Sequence, residues 1–281
     1  MFVPGHIVKM VQKASVLPTD GIMLDIEDGV LPAFKSNARQ VIAQEVPKMA
    51  DTGQMRFVRA NAIHQDDFRF DLEAIVGLNV AGLVLAKVES RVDVLEAIEA
   101  IEKLEQARRV GNPLLVIAAI ESAKGILAAP EIATASKRVA ALMLGAEDLA
   151  RDIGLPAQRV AEAHELIHAR SALVLAATAA RIQSIDQVWP DLNDNDGLHR
   201  DAVQARRLGF TGKAIIHPAQ IETVNSAFSP SAADMDFARR VIAAFDEAEA
   251  KGLGAVAFGG QLLDKPIVDR ARAVLEVSRQ H

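Results

Sequence analysis

Two short runs decide the fold. The first is Leu114-Leu115-Val116-Ile117-Ala118-Ala119-Ile120, closed by Glu121; the second is Ala141-Leu142-Met143-Leu144-Gly145-Ala146, closed by Glu147-Asp148. Both are near-continuously apolar, the pattern of a strand buried on both faces of a parallel sheet. A helical pattern follows each. If the two strands are neighbours, Glu121 and Asp148 emerge side by side at the carboxyl edge of the sheet. Carboxylates that close repel one another unless a cation sits between them. The spacing therefore suits a hard divalent metal, Mg²⁺, held by Glu121 and Asp148. It suits equally well two helix-capping or surface acids that happen to follow strands.

Outward from these runs the same alternation repeats. Strand patterns occur at Met1–Pro4, Gly21–Asp28, Met55–Asn61 and Gly82–Glu89 before them, and at Ile182–Val188 and Gly212–Pro218 after them. Helical patterns lie between, including Pro32–Glu45, 91–109, Pro156–Arg181 and Asp201–Leu208. Strand and helix in regular alternation predict an α/β protein with a parallel sheet. Eight such units predict a (β/α)8 TIM barrel over residues 1–230. Residues 231–281 then form a C-terminal helical extension, read as a lid or a subunit contact. An open doubly wound sheet is the fallback, but Gly252-Leu253-Gly254 lacks the third glycine of a dinucleotide fingerprint.

The chain has 281 residues, 50% of them hydrophobic, enough for one large α/β domain. It has no cysteine, which excludes disulfides, thiolate metal sites and a cysteine nucleophile. A net charge of −6 argues against a nucleic-acid surface. No apolar run is long enough for a membrane span, and MFVPGHIVKM lacks the regions of a signal peptide. A soluble cytoplasmic protein is expected.

In a barrel the chemistry sits at the carboxyl ends of the strands. The polar residues there are Glu27, Asp28, Arg59, Lys87, Glu121, Asp148 and His217. Together they make a charged cup: carboxylates for a metal, and Arg59 for a two-pronged grip on a substrate carboxylate. Each alone is also explained as a structural ion pair. One motif competes. His164-Glu165-Leu166-Ile167-His168 fits the H-E-x-x-H pattern of zinc peptidases on a predicted helix. A barrel puts that helix on the outer ring, so a zinc metallopeptidase through His164, Glu165 and His168 stands as the remote alternative. Asp191–Gly197 resembles a calcium loop, but its glycine falls one place late and no closing glutamate follows. Lys35 and Arg39, one turn apart, suit a phosphate or an exposed helix face.

These residues resemble a known family. Phe2-Val3-Pro4-Gly5, Leu24-Asp25-Ile26-Glu27-Asp28-Gly29-Val30, Val58-Arg59-Ala60-Asn61, Lys87-Val88-Glu89-Ser90, Ile120-Glu121-Ser122-Ala123, Gly145-Ala146-Glu147-Asp148-Leu149 and Gly212-Lys213 with Ile216-His217-Pro218 are similar to the citrate lyase beta-subunit-like family. That family stands with the malyl-CoA and citramalyl-CoA lyases in the HpcH/HpaI aldolase superfamily. Ala86 and Lys124 depart from it, standing where proline and arginine are common. The resemblance implies a β/α barrel, assembled as a homotrimer or hexamer, that makes or breaks a C–C bond beside an acyl-CoA or acyl-carrier thioester. It implies Mg²⁺ on Glu121 and Asp148, an oxo-acid held by Arg59, and a catalytic aspartate, Asp264, delivered by the C-terminal tail to a neighbouring subunit. Glu27 and Asp28 are expected to orient metal waters or the arginine, and Lys13 and Lys87 to steady the enolate oxygen. A carrier-dependent subunit, or a non-catalytic binding module, is the alternative from a different class.

Overall fold

The computed structural model of the protein describes residues 1–156 and 163–280. The chain divides into two compact units, Met1–Val224 and Asn225–His281. In the first, eight strands run β1 (Phe2–Pro4), β2 (Gly21–Asp25), β3 (Met55–Ala60), β4 (Gly82–Leu85), β5 (Leu115–Ile120), β6 (Val139–Leu144), β7 (Gln183–Asp186) and β8 (Gly212–Lys213). Helices follow them: α1 (Val8–Ala14), α2 (Lys35–Glu45), α3 (Asp66–Ile75), α4 (Arg91–Arg108), α5 (Ala123–Ala133), α6 (Ala146–Asp152), α7 (Ile167–Ala180) and α8 (Asn195–Leu208), with α9 (Ile221–Phe228) across the unit boundary. The strands pair in sequence order, all parallel. The sheet curls until its edges meet, the Phe2 N–H donating to the Ile215 carbonyl at 2.8 Å.

Side chains alternate across a strand, so every second residue faces the inside of the curl. Met23, Phe57, Val84, Ile117, Ala119, Ala141 and Met143 pack together there with Ala214. The residues between them, such as Val116, Ala118 and Leu142, are equally buried, against the helices. This two-sided burial is why the strands read as unbroken apolar runs. The same count of two continues past the core. Asp25 follows Met23, Arg59 follows Phe57, Glu121 follows Ala119 and Gly145 follows Met143. One inward layer is thus polar, and it lies at the carboxyl end of the sheet.

At β7 and β8 the outward layer is charged instead. Asp186 and Lys213 are register partners. The Lys213 ammonium lies 2.8 Å from Asp186 and 2.5 Å from Asp201 of α8. Arg170 of α7 reaches Asp186 at 2.8 Å and Asp201 at 3.0 Å. All four side chains are fully buried. Two positive and two negative charges cancel, and the quartet fastens two helices to the two weakest strands.

Several expectations shift. The single helix expected over Pro156–Arg181 is not formed. Ala163 is left-handed (φ 51°), a short 3-10 turn spans His164–Leu166, and the α-helix begins only at Ile167. The part of that expectation on 157–162 lies outside the described residues. α8 begins at Asn195, because the Asp194 carboxylate accepts the Gly197 N–H at 2.8 Å. Asp191 likewise accepts the Asn193 N–H at 2.9 Å. The calcium-like loop is a turn followed by a helix cap. The eighth strand is two residues long and not seven, since Ala214 and Ile215 continue with single hydrogen bonds to Asp186 and Phe2.

In the second unit, α10 (Ala232–Ala250) opens with a capping box between Ser231 and Asp234. A hairpin of β9 (Val256–Phe258) and β10 (Gln261–Leu263) turns through Gly259 and Gly260, both at positive φ. α11 (Lys265–Gln280) closes the chain. Ala238, Val241, Phe245, Leu263, Val268 and Ala271 form its own small core. Among the described residues, no helix is long and apolar enough to cross a membrane.

Removing one member of the buried quartet leaves an uncompensated charge. Lys213→Met is expected to destabilise the protein by about 3–5 kcal/mol in urea unfolding. Adding Asp201→Asn, which removes the opposite charge, is expected to return part of that loss. An unchanged midpoint in the single variant would show that the quartet contributes nothing.

Candidate active site

The polar layer opens into a cavity of about 290 Å³ at the carboxyl ends of the strands. Asp25, Arg59, Glu121 and Asp148 line it, with Phe2 and Gly145 among the other walls. The sheet therefore brings together the two acids and the arginine that the sequence singled out.

Arg59 is held by a partner the sequence reading did not assign to the site. Asp25 lies opposite it in register on β2. The Arg59 Nε and Nη2 each donate to an Asp25 carboxylate oxygen at 2.7 Å. Nη1 lies 3.4 Å from Glu27. The guanidinium sits over the Phe2 ring, 4.8 Å from its centroid. Asp25 in turn accepts the Glu27 and Gly29 N–H groups, both at 2.9 Å. A methyl at Gly29 would fall 2.2 Å from the Asp25 carboxylate, so only glycine lets that turn close. The arginine is fixed before any ligand arrives. The signal available in the sequence was the shared inward parity of Asp25 and Arg59 on neighbouring strands.

Glu121 is buried, and its Oε2 has no hydrogen-bond partner among the described residues. It is not a helix cap: Ser122 caps α5, accepting the Gly125 N–H at 3.1 Å. Its side chain lies across Gly145, where a methyl would come within 2.4 Å of the Glu121 Cγ. Burial, reinforced by the Glu27 carboxylate against Arg59 and then by Asp148, pushes the Glu121 carboxyl up to about 8. Asp148 sits in the first turn of α6, where the helix dipole favours an acid. Among the described residues its one ion pair is with Arg151 at 2.5 Å, a side chain 76% exposed. Such a surface pair is weak. One carboxylate lacks a partner and the other has only a loose one, which is the donor set a hard divalent cation needs. Mg²⁺ is satisfied by one or two carboxylates plus water and substrate oxygens. Among the described residues, no group of three or more His, Asp or Glu side chains is placed to hold a metal, as a zinc site would require.

Glu27 and Lys87 extend the ion-pair network from Arg59 and do not line the cavity. The Lys87 ammonium binds Glu27 and lies 2.8 Å from Asp28. Its backbone is left-handed (φ 55°), an uncommon state for a lysine and one that turns the side chain out of the strand alternation. Burial holds Glu27 above the usual carboxylate range, with Arg59 and Lys87 opposing. Partial burial also pulls Asp28 upward, but the Lys87 ammonium outweighs it and keeps Asp28 below that range.

Other candidates lie apart. Lys13 is exposed in the last turn of α1 and does not line the cavity. Its neighbour Gln12 bonds Glu45 at the end of α2, and Gln54, just before β3, bonds the Ala14 carbonyl. These contacts put Lys13 at the amino-terminal end of the sheet, away from the cup, because a helix after a strand runs back toward it. His217 is also outside the cavity; its Nδ1 accepts the Ala219 N–H at 3.2 Å. Lys35 donates to Asn61, while Arg39 pairs with Asp71 at 2.7 Å and with Asp67, so neither is poised for phosphate. The H-E-x-x-H stretch does not lie on one α-helix: His164 and Glu165 are in the 3-10 turn and His168 is in α7. Asp264 belongs to the second unit, where it is exposed and its carboxylate accepts the Ile267 N–H of α11 at 3.4 Å.

A parallel sheet curled on itself, with a charged cavity at its carboxyl end, defines an α/β protein whose chemistry is built from strand ends and the loops that follow them. Comparison with known proteins gives the family. A model of the HpcH/HpaI aldolase/citrate lyase family matches residues 1–218, and the chain belongs to that family. It is 38% identical over 278 residues to citrate lyase subunit beta of Haemophilus influenzae, covering 98% of this chain and 94% of the relative. It is 34% identical over 277 residues to a (3S)-malyl-CoA thioesterase of Cereibacter sphaeroides, covering 98% of this chain and 92% of that one. Among solved structures it resembles protein CitE of Mycobacterium tuberculosis in complex with magnesium, acetoacetate and coenzyme A. The TM-score is 0.85 at 33% identity, covering 99% of this chain and 96% of that one.

The metal-free protein bears the cost of a buried Glu121 carboxylate only when that group is ionised. Its folded-state pKa of about 8 exceeds the ordinary value of 4.5, so stability is full below pH 4.5 and falls as pH rises toward 8. Glu121→Gln is therefore expected to melt higher than the parent at pH 8.5 in chelator, the gap closing toward pH 4.5. A gap independent of pH would show that Glu121 is not buried in this way.

Proposed function

We propose that the protein is a Mg²⁺-dependent carbon–carbon lyase of the retro-Claisen or aldol type, acting on a β-hydroxyacyl thioester such as citramalyl-, malyl- or citryl-CoA. The products are an acyl thioester and a 2-oxo-acid. The observation that carries this reading is the unpartnered, buried Glu121 oxygen in one cavity with Asp148 and the clamped Arg59. We read the curled sheet as a (β/α)8 barrel and residues 231–281 as its helical extension and lid. The working form is a cytoplasmic homotrimer.

Arg59, immobilised by Asp25, offers its remaining N–H groups to the carboxylate and carbonyl oxygens of the oxo-acid. Glu121 and Asp148 would hold Mg²⁺, which when bound supplies Lewis-acid polarisation of those oxygens. In the cleavage direction a base takes the hydroxyl proton, the C–C bond breaks, and its electron pair passes to the thioester as an enolate. Glu27 and Asp28 position Arg59 and Lys87 around that event, because Glu27 touches both cations. Asp264 of a neighbouring copy delivers the proton that converts the enolate carbon into the acyl thioester's methyl or methylene. Family membership and the relative with bound magnesium, acetoacetate and coenzyme A support the reading.

A second reading has its own support. A relative at 38% identity is named as a subunit. On that reading the chain acts on a thioester carried by another protein, and free CoA thioesters are poor substrates.

Three outcomes test the proposal. Glu121→Ala or Asp148→Ala is expected to weaken Mg²⁺ binding in calorimetry by more than about 100-fold, beyond what outer-shell losses give; unchanged affinity rules out the metal pair. Mixing Asp264→Asn with Arg59→Ala, each inactive alone, is expected to restore activity through sites completed between subunits. Failure of the mixture removes support for a shared site. Turnover of citramalyl-, malyl- and citryl-CoA with Mg²⁺, followed by mass spectrometry, separates the lyase from the carrier-dependent subunit, which turns over none of them alone.

A further inference from the structure

We infer that the 2-oxo-acid taken by this cavity carries one carboxylate and a small apolar group, and that a second carboxylate is rejected. The inference rests on the lyase reading and narrows its substrate class.

The cavity has two unlike sides. Its polar residues Asp25, Arg59, Glu121 and Asp148 come from β2, β3, the end of β5 and α6. Its apolar wall is Phe2, Met143, Val188, Ala214 and Ile216, from β1, β6 and the segments that follow β7 and β8. A 2-oxo-acid held by its carboxylate and carbonyl at the polar side turns its remaining substituent toward that wall.

Charge decides what the substituent can be. Among the described residues, Arg59 is the one basic side chain lining the cavity, against four acids, Asp25, Glu121, Glu147 and Asp148. Two of its nitrogens are already spent on Asp25. The other nearby cations are engaged elsewhere, and Arg151, paired with Asp148, is not part of the lining. Lys87 is committed to Glu27 and Asp28. Lys35 is on Asn61. Lys213 precedes Ala214, but its ammonium is turned out of the cavity and fully buried between Asp186 and Asp201. A divalent cation and Arg59 carry three positive charges against the four acids, and the first incoming carboxylate engages both. A second would meet negative potential and apolar side chains, with no further basic side chain in the lining to replace its water. A methyl group there meets only carbon.

The test is calorimetric binding to the full chain with Mg²⁺ present, using pyruvate and freshly dissolved oxaloacetate as probes. Pyruvate is expected to bind tighter by about tenfold or more, the scale of one missing charge-assisted hydrogen bond. Equal or tighter binding of oxaloacetate overturns this inference and leaves the lyase reading standing. Binding of neither overturns both. A gain-of-charge variant gives an independent check. Ile216, 40% exposed at the rim, tolerates a long polar side chain. Ile216→Arg is expected to move the ratio toward oxaloacetate by about tenfold. A ratio unmoved by the added guanidinium overturns the charge argument.

Discussion

Four carboxyl groups crowd around one guanidinium, and that imbalance governs the upper end of the sheet. Asp25 saturates one edge of Arg59 and Glu27 approaches its remaining amino group. Glu121 and Asp148 line the same cavity without an equivalent partner. Ionised carboxylates buried together in apolar surroundings are costly unless something positive joins them. The protein meets half of that requirement with Arg59 and Lys87. On the proposed reading the other half is left to a cation held by the pair.

The geometry follows from simple rules applied at the strand ends. Period-two alternation carries Asp25, Arg59 and Glu121 inward one step beyond the apolar core. Gly145, at the corresponding place on β6, contributes no side chain, and Glu121 lies in the space this leaves. Two strands beyond β6, β8 is only two residues long. Its place is held by the buried quartet of Arg170, Lys213, Asp186 and Asp201, which pairs the outward-facing lysine with two acids.

Much of this was legible in the sequence because burial on both faces leaves unmistakable apolar runs. The runs ending at Glu121 and Asp148 predicted neighbouring strands, and β5 and β6 are neighbours. What the sequence hid was tertiary. Asp25 stood in plain view at a strand end, yet its grip on Arg59 depends on register between β2 and β3. Lys13 is a cation in reach of the first strand by sequence, and so a candidate for the enolate oxygen, yet a short helix running back along the sheet carries it to the far end. His164 and His168 have helical spacing, but His164 lies in a 3-10 turn and only His168 lies in the α-helix. Asp264 carries no local signal at all, since its proposed role depends on a second copy of the chain.

The most direct test is a crystal grown with Mn²⁺, used as a scattering surrogate for Mg²⁺, and measured at the manganese absorption edge. A single anomalous peak between the Glu121 and Asp148 carboxylates, about 2.0–2.2 Å from an oxygen of each, is the predicted result for a small hard cation. A peak elsewhere, or none, with the Glu121 oxygen turned to a protein donor, would contradict the account.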